Sequence, residues 1–133
     1  MAEKKRLLII DDEDDVCQVV KENFQQLGYE VLIAYEGGEG IKVTVEQKPD
    51  CVLLDIRLPN GMDGLTFLRK IRSYSHEDPK EQNRIRSTAV IVLTGSGASQ
   101  KATFEMEGIS GFIQKPFDIK NLHGKIQSIL RLS

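Results

Sequence analysis

The chain has 133 residues, 40% hydrophobic and 29% charged, the mix of a globular domain with enough length to bury one sizeable core, so a single domain over residues 1–133 is expected. Eighteen Lys and Arg against twenty Asp and Glu leave a formal net charge of −2, which provides no basic field for holding nucleic acid. The longest apolar runs fall far short of the roughly 20 residues of a membrane span, and the basic start Met1 to Arg6 meets five consecutive acids after only four apolar residues, so it is no secretory signal and a cytoplasmic protein is expected.

The first apolar run, Leu7-Leu8-Ile9-Ile10, reads as a strand ending at Asp11 and Asp12. Val16, Val19, Val20, Phe24 and Leu27 then recur at helical spacing and stop at Gly28, a residue suited to the position just past a helix end. Val31 to Ala34 gives a second strand. The segment from Gly37 to Lys48, with Gly38, Gly40, Val43, Thr44 and Val45, predicts a weak helix closed by Pro49. Cys51-Val52-Leu53-Leu54 is the third strand, and Leu65, Leu68 and Ile71 follow Asp63 as a capped third helix. Residues 73–87 carry Pro79, mixed charges and almost no apolar side chains, and read as an elongated connection. A fourth strand, Ala89 to Leu93, precedes a short helix over 99–107. Gly111-Phe112-Ile113 is a weaker fifth strand. Ile119, Leu122, Ile126, Ile129 and Leu130 form a last helix after Asp118, at a cost of about 1 kcal/mol for Gly124. Cys17 and Cys51 fall inside core segments without a metal-binding or redox setting and read as buried reduced thiols. His76 and His123 have no companions and read as surface residues.

Strand alternating with helix five times makes a single parallel sheet with right-handed crossovers the economical fold, its runs continuously apolar because both faces are covered. Ligands of such sheets bind beyond the carboxyl ends of the strands. Those ends supply Asp11 and Asp12, Tyr35, Asp55, Thr94 and Lys115. Three carboxylates in one crevice repel one another unless a cation neutralises them, and an all-oxygen set without His or Cys selects a hard cation such as Mg2+. A metal beside a Lys and a hydroxyl is apparatus for a phosphoryl group, with Asp55, alone at the end of the central strand, the natural nucleophile. Glu13, Asp14 and Asp15 read instead as the acidic first turn of a helix, favoured by its dipole.

These residues resemble the receiver domain of two-component response regulators. The resemblance covers nearly the whole chain and rests on four motifs in order: Ile9-Ile10-Asp11-Asp12, the stretch from Asp55-Ile56-Arg57-Leu58-Pro59 to Met62-Asp63-Gly64, Val92-Leu93-Thr94-Gly95, and Lys115-Pro116-Phe117. It implies a flavodoxin-like, doubly wound (βα)5 α/β fold with strand order 2-1-3-4-5; because the 133 residues end within or just after the last helix, no output domain is expected. It further implies that Asp55 accepts a phosphoryl group from a phosphohistidine on a sensor histidine kinase or histidine phosphotransfer protein, becoming an aspartyl phosphate. Asp12 would bind Mg2+ directly and Asp11 mainly through water, with Asp55 and the Arg57 backbone carbonyl completing the set. Lys115 would pair with the phosphoryl oxygens from a chain with a cis Lys115-Pro116 bond, and Thr94 would bind one of those oxygens after modification. Phe112 matches the switch aromatic, although an ordinary core ring explains it equally at this stage. The face formed by the helix over 99–107, the fifth strand and the last helix would carry an output partner or a homodimer.

Three departures stand out. Asn60 and Gly61 lie between Pro59 and Met62, one residue more than in the L-P-x-M-D-G pattern, which should alter the rim of the pocket and not its floor. The 73–87 connection is longer than usual, as a partner surface or a tolerated insertion. The span from Thr94 to Lys115 is about one residue short, so the 99–107 helix is expected to be frayed or displaced. Arg57 and Ser96, two residues beyond Asp55 and Thr94, stand at positions that the resemblance associates with access of hydrolytic water. Gly95-x-Gly97 is too imperfect for a nucleotide loop, with Gln100 in the third glycine position. A Mg2+-dependent phosphohydrolase would want a second acid where Arg57 stands, and a cap. The remaining alternative is an interaction module that is never phosphorylated. On the favoured reading the protein is a signalling phosphoacceptor and not an enzyme.

Overall fold

The computed structural model describes residues 4–95 and 98–131. Five strands, β1 (Arg6–Ile10), β2 (Glu30–Ala34), β3 (Cys51–Asp55), β4 (Ala89–Thr94) and β5 (Gly111–Gln114), form one parallel sheet in the order β2-β1-β3-β4-β5, as expected. Alternate residues of the central strands face opposite cores. Leu7, Ile9, Leu53, Ile91 and Leu93 pack under α1 (Asp14–Gln26) and α6 (Ile119–Leu130). Leu8, Ile10, Val52, Leu54, Val90 and Val92 pack under α2 (Gly37–Gln47), α3 (Gly64–Arg72), α4 (Pro79–Arg86) and α5 (Lys101–Glu107). Both faces of the sheet are thus dry, which is why its strands read as continuous apolar runs. None of the described helices is long and apolar enough to cross a membrane.

The caps expected from the sequence are present. Gly28 takes φ +96 just beyond α1, Asp63 accepts from the Thr66 amide at the start of α3, and Asp118 accepts from the Lys120 amide at the start of α6. The weak helix α2 forms because its glycines permit close packing: a Cβ on Gly40 would lie 2.5 Å from Ile10 Cδ1. Its end is a left-handed Lys48, φ 52, ahead of Pro49. Cys17 and Cys51 are buried and free, and burial pushes each thiol up to about 12, which leaves them unreactive.

Three expectations are corrected. The 73–87 connection contains the helix α4, with Asp78 accepting from the Lys80 amide as its cap and Pro79 in the first turn, where a missing N–H does no harm. A single apolar side chain, the fully buried Ile85, anchors it. Polar clamps supply the rest. Arg84 donates to the Thr44 and Val45 carbonyls near the end of α2, and Arg72 donates to the carbonyls of Arg86 and Gly108. His123, expected at the surface, is half-buried, with its ring edge-on to both Phe24 and Tyr29.

The helix expected over 99–107 is shorter than read. A single 3-10 turn, Ala98–Gln100, precedes α5, which the buried Phe104 holds against the sheet.

Candidate functional site

Four strand ends place their terminal residues around one cleft of ≈ 460 Å³, lined by Asp12, Glu13, Asp55, Ile56, Arg57, Thr94, Gly95 and Lys115. Asp11 leaves β1 with its amide still bonded to the Ala34 carbonyl, so its side chain is fixed by the sheet and wholly buried. Its Oδ1 accepts from the Glu13 amide at 2.9 Å, and its Oδ2 accepts from Lys115 Nζ at 2.7 Å. Asp12, next along, is exposed at the mouth. Asp55 ends β3 on the floor, 7% exposed. The loop beyond it returns directly over the strand, because Gly64 donates to the Ile56 carbonyl at 2.7 Å and a Cβ on Gly64 would lie 2.5 Å from the Asp55 carbonyl oxygen.

Lys115 is brought in by β5. Its amide donates to the Thr94 carbonyl at 2.6 Å, and the cis Lys115-Pro116 bond that the resemblance implies is present. Its ammonium lies 2.7 Å from Asp11, 3.7 Å from Asp55 and 3.7 Å from Glu13. Burial works against the charge of Lys115, but the hydrogen bond to Asp11 and the adjacent carboxylates outweigh it and hold the ammonium more basic than usual. For Asp55 the balance goes the other way. Burial, then the Asp11 charge, push its carboxyl up to about 6, against the opposing pull of Lys115 and the Arg57 amide that donates to it. Asp11, Asp12, Glu13 and Asp55 gather around the single ammonium of Lys115, so the cleft holds more carboxylates than one lysine offsets.

Asp11, Asp12 and Asp55 each present a carboxylate oxygen within 4.8 Å of the others. That donor set, all oxygen and under-compensated in charge, fits a hard divalent cation. Arg57 lines the same cleft with an exposed side chain, and Thr94 is 1% exposed on its wall. Phe112 is half-buried on β5 beside Val92, its ring 6.4 Å from that of Phe104 on α5. Ser96 and Gly97 lie outside the described residues.

One strand-end residue stays out of the cleft, and one residue expected only at the helix start joins it. Tyr35, at the end of β2, turns away from the cleft, and its hydroxyl donates to Asp14 Oδ1 at 2.6 Å. Glu13, read only as a helix-start acid, stands one residue ahead of α1 and lines the cleft beside Lys115, whereas Asp14 and Asp15 do occupy the first helical turn.

A family model described as the response regulator receiver domain matches residues 7–127. Among solved structures, similar chains include the chemotaxis response regulator CheY4 of Vibrio cholerae, at 25% identity and TM-score 0.81 over 96% of this chain and 99% of that one. A CheY-like receiver domain protein of Methanospirillum hungatei matches at 28% and 0.81, covering 97% and 95%. A two-component response regulator of Clostridium difficile matches at 26% and 0.81, covering 97% and 98%.

Proposed function

The chain belongs to the response regulator receiver domain family of two-component systems, and from that premise we propose that Asp55 accepts a phosphoryl group from a phosphohistidine on a sensor histidine kinase or histidine phosphotransfer protein. One observation carries the reading: a carboxylate only 7% exposed forms the floor of an open cleft, 3.7 Å from a lysine ammonium and surrounded by further acids. In the transfer an Asp55 oxygen attacks phosphorus in line with the donor imidazole. The new P–O bond of an acyl phosphate forms as the P–N bond breaks, and the imidazole leaves with that electron pair.

Lys115 offsets charge on the phosphoryl oxygens, and the Thr94 hydroxyl donates to one of them after modification. Asp11, Asp12, Asp55 and the Arg57 carbonyl would hold Mg2+, which when bound supplies positive charge facing the phosphoryl group. Positioning and charge are all that the protein provides, so it acts as a signalling acceptor and not as an enzyme with a free substrate. The added phosphoryl charge and oxygens draw Thr94 and its loop inward, with Phe112 following, and bias the face of α5, β5 and α6 for an output partner or a second copy.

The test is transfer from protein donors. A panel of autophosphorylated histidine kinases and phosphotransfer proteins, carrying labelled phosphate, is expected to label the wild-type chain and not Asp55→Asn. Equal labelling of Asp55→Asn would remove the assignment.

A further inference from the structure

We propose that Asn60 is a positioning residue for the divalent cation: its side-chain bond to Glu36 pins the loop that carries Arg57, whose carbonyl serves the cation. The inference rests on the reading above, in which Asp11, Asp12, Asp55 and that carbonyl are the protein ligands.

The near end of the loop over 56–63 is fixed by the sheet. Gly64 bonds back to the Ile56 carbonyl, and the Arg57 amide donates to Asp55. The far end holds the extra residue. Asn60 and Gly61 both take positive φ, 64 and 76, so two successive left-handed residues turn the chain back on itself, a conformation that Asn and Gly adopt most readily. Pro59, Asn60 and Gly61 are all exposed. An added residue at an exposed apex would ordinarily loosen the loop and with it the Arg57 carbonyl.

Two contacts remove that slack, both onto the start of α2. Asn60 Nδ2 donates to Glu36 Oε2, and the Met62 side chain seats on Gly37, where a Cβ would come within 2.6 Å of the sulfur. Glu36 occupies the cap position of α2, yet its carboxylate makes no capping bond to the helix. The start of α2 is itself secured, since the Tyr35 amide donates to Glu39 Oε1 and Gly37 and Gly40 are buried. The residue that distinguishes this loop is therefore tied to a fixed element, and Arg57 lies between that tie and Asp55.

The experiment is Mg2+ binding to the full chain by titration calorimetry. Asn60→Gly keeps the left-handed backbone but removes the bond, and is expected to weaken Mg2+ binding about tenfold, the low end for residues that orient metal ligands. Glu36→Gln keeps an acceptor while removing the charge, and should stay within about twofold of wild type because an exposed charge is screened. Glu36→Ala removes both and should match Asn60→Gly, with the double variant no weaker than either alone. Melting in EDTA confirms that each variant folds, and the contrast between Glu36→Gln and Glu36→Ala reads the bond independently of Asn60→Gly. Wild-type Mg2+ affinity in Asn60→Gly would overturn the proposal. Wild-type protein that binds no Mg2+, like Asp12→Ala, would overturn the reading of the site itself, and the inference with it.

Discussion

Burial and the charge of Asp11 lift the Asp55 carboxyl to about 6, while in the unfolded chain it returns to the ordinary value near 3.8. Between those values the folded protein holds a proton that the unfolded chain has released, so stability falls as pH rises from about 4 through about 6 and is flat above. The charge-neutral Asp55→Asn should therefore be more stable than wild type in EDTA at pH 7.5, by about 3 kcal/mol, with the difference vanishing below about pH 4. Urea melts of both proteins at several pH values measure this, and equal stability at pH 7.5 would contradict the charge balance described for the cleft. The same residues show what a sequence discloses. Asp11, Asp12, Asp55, Thr94 and Lys115 are legible because each stands where an apolar strand stops. Glu13 is hidden in a run of five acids that a helix dipole explains equally well, and only the Lys115 contact separates it from Asp14 and Asp15. Asn60 is visible as an extra residue, but its partner lies 24 positions away and needs the folded sheet to meet it.

Among the elements, α4 is the one that periodicity misses. Its eight residues contain one buried apolar side chain, too little for a helical stripe, and its support comes from guanidinium groups: Arg84 reaches carbonyls of α2, Arg72 of α3 reaches the Arg86 carbonyl, and Arg86 reaches the Tyr74 carbonyl, contacts that form only once those segments have packed. The cap pair Asp78-Pro79 is the signal that could have revealed it. Because Ile85 is the lone apolar anchor, Ile85→Ala should cost about 2–5 kcal/mol, and amide exchange should show α4 opening ahead of the sheet. A loss below 0.5 kcal/mol, measured by urea melts, would mean that the polar clamps alone hold the helix. The opposite lesson comes from α2, whose glycines and β-branched residues predict weakness. Packing overrides propensity there, since Gly40 lets the helix sit directly on Ile10 and Phe67.

Across the whole molecule, the parallel sheet brings residues from positions 11 to 115 into one cleft, and this convergence is legible from the alternation of strand and helix before any side chain is placed. What the alternation does not disclose is how the cleft connects to the rest. Helix α5 is held at its carboxyl end by Arg72 on the Gly108 carbonyl and by Arg69 on Glu107, and at its middle by Phe104 beside Phe112. A change at Thr94 thus meets a helix that is fastened at one end. On modification, amide exchange should change more over 101–104 than over 105–108, as followed by mass spectrometry. Equal change along α5 would show that the arginine clamps do not restrain it. Met106, 88% exposed on the same helix, marks the face such a movement would present.

The most direct measurement of the central claim is the intact mass of the protein incubated with acetyl phosphate and Mg2+, with and without EDTA, beside Asp55→Asn. A single phosphoryl adduct that requires Mg2+ and is absent from Asp55→Asn is the predicted result. An adduct of equal yield in Asp55→Asn, or one indifferent to EDTA, would contradict the account.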